Sequence, residues 1–119
     1  MDLLARLPVA LRETWQSALD ASHSAPSAKV ALYRVAVERS LDHLLSARGI
    51  PCPSRVGLLE QIRLLQEHDV VQAPTISHMH TVRTLGNEAT HGDGIGEDEA
   101  EACRIAGQAI LKALAVALS

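Results

Sequence analysis

The stretch Thr81–Asp98, TVRTLGNEATHGDGIGED, places an amphipathic helix pattern directly before a glycine-rich break. At about 100° per residue, its apolar residues share one side of a helix. These residues are Val82, Leu85 and Ala89. The glycines of GDGIG then predict that the helix ends and a loop begins. We therefore expect a helix that packs one face on a core.

The opposite side of this helix carries a polar stripe, formed by His80, Arg83, Asn87 and His91. The four residues are spaced by three, four and four positions, so neighbouring members lie close together on a helix surface. An arginine, an amide and a histidine can together bind an anion, and a phosphate is the obvious candidate. In the structural alternative, Asn87 bonds to local backbone, Arg83 pairs with an acid and His91 only ends the helix.

A metal site formed by this helix alone is not expected. His78 lies towards the apolar side, two residues from His80, so the two do not share a face. His80 and His91 do share a face, but about 16 Å separates them at a rise of ~1.5 Å per residue. The two cysteines form no C-x-x-C motif, and the acidic run at 97–99 suits a helix start. We expect no metal and no cofactor.

Helix signals recur along the whole chain. Apolar stripes between polar or proline-containing breaks predict further helices over about 8–22, 26–47, 54–67 and 97–118. Pro74 opens the helix that holds the polar stripe. Gly86 lies inside that helix at a cost of about 1 kcal/mol relative to alanine, which indicates close approach of another helix. We predict one all-α domain over residues 1–119, an up-and-down bundle of four to five helices.

Composition limits the classes of function. Of 119 residues, 47% are hydrophobic and only 2% aromatic, so the core is aliphatic. A formal net charge of −3 gives no general attraction for nucleic acid or an anionic membrane. No apolar run approaches the ~20 residues of a membrane span, and the charged start MDLLARLPVALRE does not fit a signal peptide. With two isolated cysteines, these features predict a cytoplasmic protein without a membrane partner.

The segment VRTLGNEATHG resembles the R-x-x-G-N-x-x-x-H signature of a bacterial branch of the HEPN superfamily, long catalogued as a domain of unknown function. Two further blocks strengthen the resemblance, in the same order along the chain. One is YRVAVERSLDHLLSARGI, which contains Arg34 and Glu38, and the other is the leucine-rich GLLEQIRLLQEHDVV. Together these blocks extend the resemblance over roughly residues 28–115.

This resemblance implies a HEPN-like bundle that forms a homodimer, in which the polar stripes of both subunits face a shared cleft. Many HEPN domains are metal-independent endoribonucleases of defence or toxin–antitoxin systems that act on single-stranded RNA. The catalytic residues implied are Arg83, Asn87 and His91, and we take His80 and Thr84 beside them as candidate binding residues. His91 would assist proton transfer at a ribose 2′-hydroxyl or at the leaving oxygen. Arginine would stabilise charge on the phosphate in the transition state.

One residue departs from the catalytic pattern. HEPN nucleases usually place arginine directly before the asparagine, and here that position is Gly86, with Arg83 one turn earlier. Few aromatic residues are present to stack unpaired bases. Two function classes therefore stay open. One is a ribonuclease, and the other is a non-catalytic module that dimerises and binds RNA, a nucleotide or a partner protein of a defence or restriction system.

Overall fold

Helices account for most of the chain in the computed structural model, which describes residues 2–21, 23–53, 56–91 and 94–118. Within these residues there is one 3₁₀ helix, there are five α-helices, and there is no strand. The prediction of an all-α bundle is confirmed. The elements are the 3₁₀ helix Leu3–Arg6, α1 (Val9–Leu19), α2 (Pro26–Ala47), α3 (Leu58–Glu67), α4 (Ala73–Thr90) and α5 (Glu97–Ala117).

Proline and glycine set the bounds of α2. Pro26 is its first residue, where a fixed φ suits the helix and the missing N–H has no intrahelical acceptor anyway. Beyond its last residue, Gly49 adopts a φ of +67°, a conformation that costs glycine little. The N–H of Ile50 then donates to the carbonyl of Leu45 at 2.9 Å, which closes the helix end. The predicted span of this helix, 26–47, is confirmed.

Two other boundaries differ from the prediction. The first helix ends at Leu19 rather than near residue 22. After the N–H of Asp20 donates to Gln16 at 2.9 Å, that of Ala21 donates to the carbonyl of Ala18 at 3.4 Å, so the α-helical pattern of bonds stops. The third helix begins at Leu58 rather than near residue 54, because Gly57 before it is extended, with ψ of 171°. Ser54, where this helix was predicted to start, lies outside the described residues. The 3₁₀ helix was not predicted from the sequence.

The central element of the bundle is α2, which packs against α1, α3, α4 and α5. It runs parallel to α5, because Lys29 meets Glu97 at 3.5 Å near both starts and Arg48 meets the carbonyl of Ala117 at 3.4 Å near both ends. It runs antiparallel to α4. The start of α2 therefore lies beside the end of α4, where the glycine-rich break begins.

The core is aliphatic, as predicted, and its two aromatic residues join the first two helices. Trp15 of α1 is fully buried and donates from Nε1 to Oγ of Ser40 on α2 at 2.8 Å. Its ring meets that of Tyr33 edge to face, with centroids 6.4 Å apart. On the other side of Tyr33, Gly107 of α5 gives the ring its space: a Cβ there would lie 2.5 Å from Cδ1. These contacts fix α2 between α1 and α5.

Candidate functional site

Packing of α4 decides which of its residues are accessible. Its buried face consists of Ile76, Met79, Val82 and Gly86. That face packs against α2, α3 and α5, so the polar stripe lies towards the surface. Within the stripe, His80 and Arg83 are half-buried, whereas Asn87 and His91 are exposed.

An arginine of a different helix binds Asn87. Arg34 of α2 donates from Nη1 to Oδ1 of Asn87 at 2.6 Å, and from Nε to Oε1 of Glu38 at 2.7 Å. A guanidinium has no acceptor, so the Asn87 atom that it contacts is the carbonyl oxygen. The amide nitrogen of Asn87, with two N–H donors, is therefore left for another group. An amide nitrogen in this position can donate to an anion.

Gly86 is the residue over which Arg34 reaches Asn87. A Cβ at Gly86 would lie 2.6 Å from Cδ of Arg34 and 3.1 Å from its Nη1. Such distances are too short for ordinary contact, so a side chain at this position requires Arg34 to move. The close approach predicted at Gly86 is confirmed, and the group that approaches is a long polar side chain of α2.

Arg83 points towards the start of α4. Its Nε donates to Nδ1 of His80 at 3.2 Å. In the described part of the chain it forms no hydrogen bond with Asn87 or His91. The polar stripe is thus divided into a pair, His80 with Arg83, and a second group in which Asn87 is joined by Arg34 and lies one turn before His91.

His91 caps α4 and leaves its imidazole at the surface. Its backbone N–H donates to the carbonyls of Asn87 at 3.3 Å and Glu88 at 3.2 Å, which completes the last turn. The imidazole forms no hydrogen bond with any described residue. Residues four positions apart on a helix lie on the same side, so His91 lies one turn beyond Asn87. Gly92, the first glycine of the break predicted to end the helix, lies outside the described residues.

Thr84 is exposed beside Arg83, and its hydroxyl has no hydrogen-bond partner among the described residues. The structure does not join it to either group of the polar stripe. As a candidate binding residue it can offer a hydroxyl to a ligand that already contacts Arg83.

Arg34 is the residue that sequence reasoning left out of the site. Its partner Glu38 follows at i+4 on α2, a spacing typical of helical ion pairs. A glycine inside α4 showed that some group crosses there, but not which one. Only the antiparallel packing of α2 on α4 brings Arg34 to Gly86.

A third helix supports this arrangement from behind. Gln61 of α3 is buried and donates from Nε2 to the carbonyl of Glu38 at 3.3 Å and to Oδ1 of Asp42 at 2.6 Å. Its own Oε1 is buried without a hydrogen-bond partner in the described structure. Gln61 therefore holds the turn of α2 from which Glu38 reaches Arg34.

A separate cavity of about 240 Å³ lies between α1, α2 and α5, away from the polar stripe. Its charged residues pair with one another: Lys29 with Glu97 at 3.5 Å, and Arg104 with Glu101. The hydrogen bond from Arg104 lowers the pKa of Glu101. An anion there competes with carboxylates for both cations, so this cavity is the weaker candidate for anion binding.

Metal binding and membrane insertion are two further possibilities for the described residues. No three or more His, Cys, Asp and Glu side chains are grouped so that they could hold a metal ion. No helix among them has both the length and the apolar character to cross a membrane.

Comparison with known proteins yields one match. The model of a family described as "Domain of unknown function (DUF4145)" matches residues 16–117. No curated protein and no solved structure matches the chain. The family match begins within α1 and continues to the last residue of α5, which is most of the chain. The chain therefore belongs to the DUF4145 family.

Proposed function

We propose that this chain is a HEPN-like domain that binds the phosphate of single-stranded RNA at Asn87 and His91 and cleaves the strand without a metal ion. One observation carries the proposal. The Asn87 carbonyl is occupied by Arg34, so its amide is free to donate, one turn from an exposed histidine. The motif resemblance supplies the reaction class, and the geometry supplies donors for an anion beside a group able to transfer protons.

The reaction that suits these groups is attack by a ribose 2′-hydroxyl on the adjacent phosphate. The 2′-oxygen forms a bond to phosphorus, and the bond from phosphorus to the 5′-oxygen breaks. A proton leaves the 2′-hydroxyl and another joins the departing oxygen, which gives a 2′,3′-cyclic phosphate and a 5′-hydroxyl. Histidine exchanges protons near neutral pH, so His91 serves one of these transfers. Asn87 and an arginine, Arg83 in the motif, stabilise the charge on the phosphate.

The proposal includes a homodimer in which the polar stripes of both subunits line one cleft. A strand held between two subunits is contacted by two copies of each donor, which offsets the scarcity of aromatic stacking partners. We expect the protein to act in the cytoplasm as part of a bacterial defence or toxin–antitoxin system.

A second function is favoured by the residue before Asn87. Gly86 stands where the nuclease pattern has arginine, and Arg83 contacts His80 rather than the Asn87 group. The same surface would then bind RNA, a nucleotide or a partner protein of a defence system without cleaving anything. The domain would act as an accessory module that dimerises.

Incubation of the pure protein with mixed RNA in EDTA tests the proposal. We expect cleavage with 2′,3′-cyclic phosphate ends, and loss of cleavage in His91→Ala without loss of helical circular dichroism. DNA of matched sequence lacks the 2′-hydroxyl and should stay intact. Intact RNA that is nevertheless bound, with binding weakened by His91→Ala and by salt, would favour the second function. Neither cleavage nor binding would refute both.

A further inference from the structure

We propose that Arg34 is the arginine that contacts the phosphate of the bound strand, and that Gly86 is the residue that lets it do so. The inference rests on the proposed function, because it assumes that the phosphate lies at Asn87 and His91. It adds a residue of α2 to a site otherwise formed by α4, and it assigns a function to the glycine that replaces the usual arginine.

The donors of Arg34 support this assignment. A guanidinium carries five N–H groups. Two of them are used within the described structure, one on Glu38 and one on Asn87. The remaining three belong to Nη1 and Nη2, and a quarter of the side chain, 25%, is exposed. Two parallel N–H groups fixed in one plane match the oxygens of a phosphate.

The positions of its partners orient Arg34 towards the site. Glu38 holds Nε, the inner part of the guanidinium, so that the outer nitrogens extend over Gly86 towards Asn87. Glu38 is itself fixed through its backbone by Gln61. A guanidinium held at two points loses less conformational freedom on binding than a free arginine. Glu38 is thus a positioning residue, and Arg34 is the group that touches the phosphate.

Arg83 is less suited to this contact in the described arrangement. Its Nε is bound to His80, on the side of the stripe away from His91. Arg34 already shares a hydrogen bond with Asn87, so one phosphate can contact both residues without rearrangement. A side chain at Gly86, the position where HEPN nucleases have arginine, would displace Arg34. This chain therefore delivers the positive charge from α2 to the place that an arginine of α4 would occupy.

Substitution of Gly86 by alanine provides a sharp test, because it removes no charge. Alanine has a higher helix propensity than glycine, and the Arg34 side chain is flexible enough to swing away. We expect Gly86→Ala to stay folded while its Cβ displaces Arg34 from Asn87. Arg34→Ala removes the guanidinium itself. Arg39→Ala is the matched control, since Arg39 is an exposed arginine of α2 that contacts Thr14 of α1 instead.

The probe is a fluorescein-labelled single-stranded 2′-O-methyl RNA in EDTA, which binds but cannot be cleaved through its 2′-oxygen. By anisotropy we expect Arg34→Ala and Gly86→Ala each to weaken binding about tenfold or more, and Arg39→Ala less than about twofold. Arg34→Ala should also make the slope of log Kd against log salt concentration shallower, by about the amount that one phosphate contact contributes. Circular dichroism and thermal unfolding establish that each variant is folded.

The outcomes separate the inference from the proposed function. Wild-type protein that does not bind the probe would refute the phosphate site, and the inference with it. Wild-type binding that Arg34→Ala leaves unchanged would refute the inference alone. A folded Gly86→Ala with wild-type affinity would do the same, and it decides the question if Arg34→Ala fails to fold. A larger loss of affinity in Arg83→Ala than in Arg34→Ala would show that Arg83, and not Arg34, is the main phosphate contact.

Discussion

The two cysteines differ in what surrounds their thiols. Cys103 of α5 is fully buried, and desolvation raises the pKa of its thiol to about 12. Cys52 is half-buried; desolvation, followed by the charges of Asp42 and Glu60, raises its pKa as well. Reaction needs both a thiolate and access. We expect a disulfide reagent such as DTNB to modify Cys52 in the native protein and Cys103 only on unfolding, and Cys52→Ser should abolish the fast phase.

The buried thiol of Cys103 makes the free energy of unfolding depend on pH in the alkaline range. The ordinary pKa of 9.0 applies to Cys103 in the unfolded chain, against about 12 in the folded protein. Between these values the unfolded chain loses a proton that the folded protein keeps, so stability falls as pH rises, by at most about 1.4 kcal/mol per pH unit. Urea unfolding at pH 7, 9 and 10 should therefore show a smaller decline in Cys103→Ala than in wild type. Equal declines would contradict this contribution.

Gly107 and Gly86 each lie under a side chain of α2, Tyr33 and Arg34 respectively. Tyr33 has less freedom to move than Arg34. A Cβ at Gly107 would lie 2.5 Å from Cδ1 of Tyr33, whose ring is packed against Trp15. The ring cannot move aside, so Gly107→Ala should overpack the core and destabilise the protein by about 1–2 kcal/mol, even after the gain in helix propensity. Thermal unfolding beside Gly86→Ala measures the difference; equal stabilities would show that the core adapts.

At the level of elements, one buried hydrogen bond joins α1 to α2. Ser40→Ala would leave the indole N–H of Trp15 buried without an acceptor, which costs about 1–3 kcal/mol. Trp15 is the only tryptophan, so its fluorescence reports unfolding in urea. Ser46→Ala, at an exposed position of the same helix, is the control and should have little effect. A Ser40→Ala midpoint equal to that of Ser46→Ala would mean that water satisfies the indole.

Local signals explain how well each helix could be predicted. The bounds of α2 followed from Pro26 and Gly49, because each residue acts on the backbone through its own covalent structure. The start of α3 did not, since it depends on the extended conformation of Gly57, which no local sequence signal indicated. The amphipathic periodicity of α4 correctly placed its polar stripe on the surface.

The site could be predicted only in part for a related reason. Asn87 and His91 are one turn apart on one helix, so their proximity follows from spacing. Arg34 lies 53 residues before Asn87 along the chain, and their contact depends on how two helices pack. The sequence did carry one half of that information, because a glycine inside a helix indicates that something crosses it. Which side chain crosses it depends on how α2 packs on α4.

Three helices contribute to the proposed site through one connected set of hydrogen bonds. Gln61 of α3 binds the backbone of Glu38 on α2, whose carboxylate binds Arg34, which binds Asn87 on α4. The position of the Asn87 amide thus depends on the packing of all three helices. A site fixed in this way holds its donors in place before a ligand arrives, which reduces the entropy lost on binding.

At the scale of the whole molecule, the prediction that remains is a homodimer. Most apolar residues of α5 are used in the core of the subunit, so its surface offers mainly Ile105, which is 54% exposed, and Val116, which is 71% exposed. Single exposed apolar residues are common on monomers. The prediction of a dimer therefore rests on the resemblance to HEPN domains, and we expect α5 to contribute part of the contact.

We expect multi-angle light scattering at tens of micromolar to give twice the mass of one chain, 12.7 kDa. Ile105→Glu should shift the mass towards the monomer while the chain keeps its helical circular dichroism, because a charge buried at an interface has no partner there. Val9→Glu, at a more exposed apolar position of α1, is the control and should leave the mass unchanged. A monomeric wild-type protein at this concentration would refute the homodimer, and a shared cleft between two polar stripes with it.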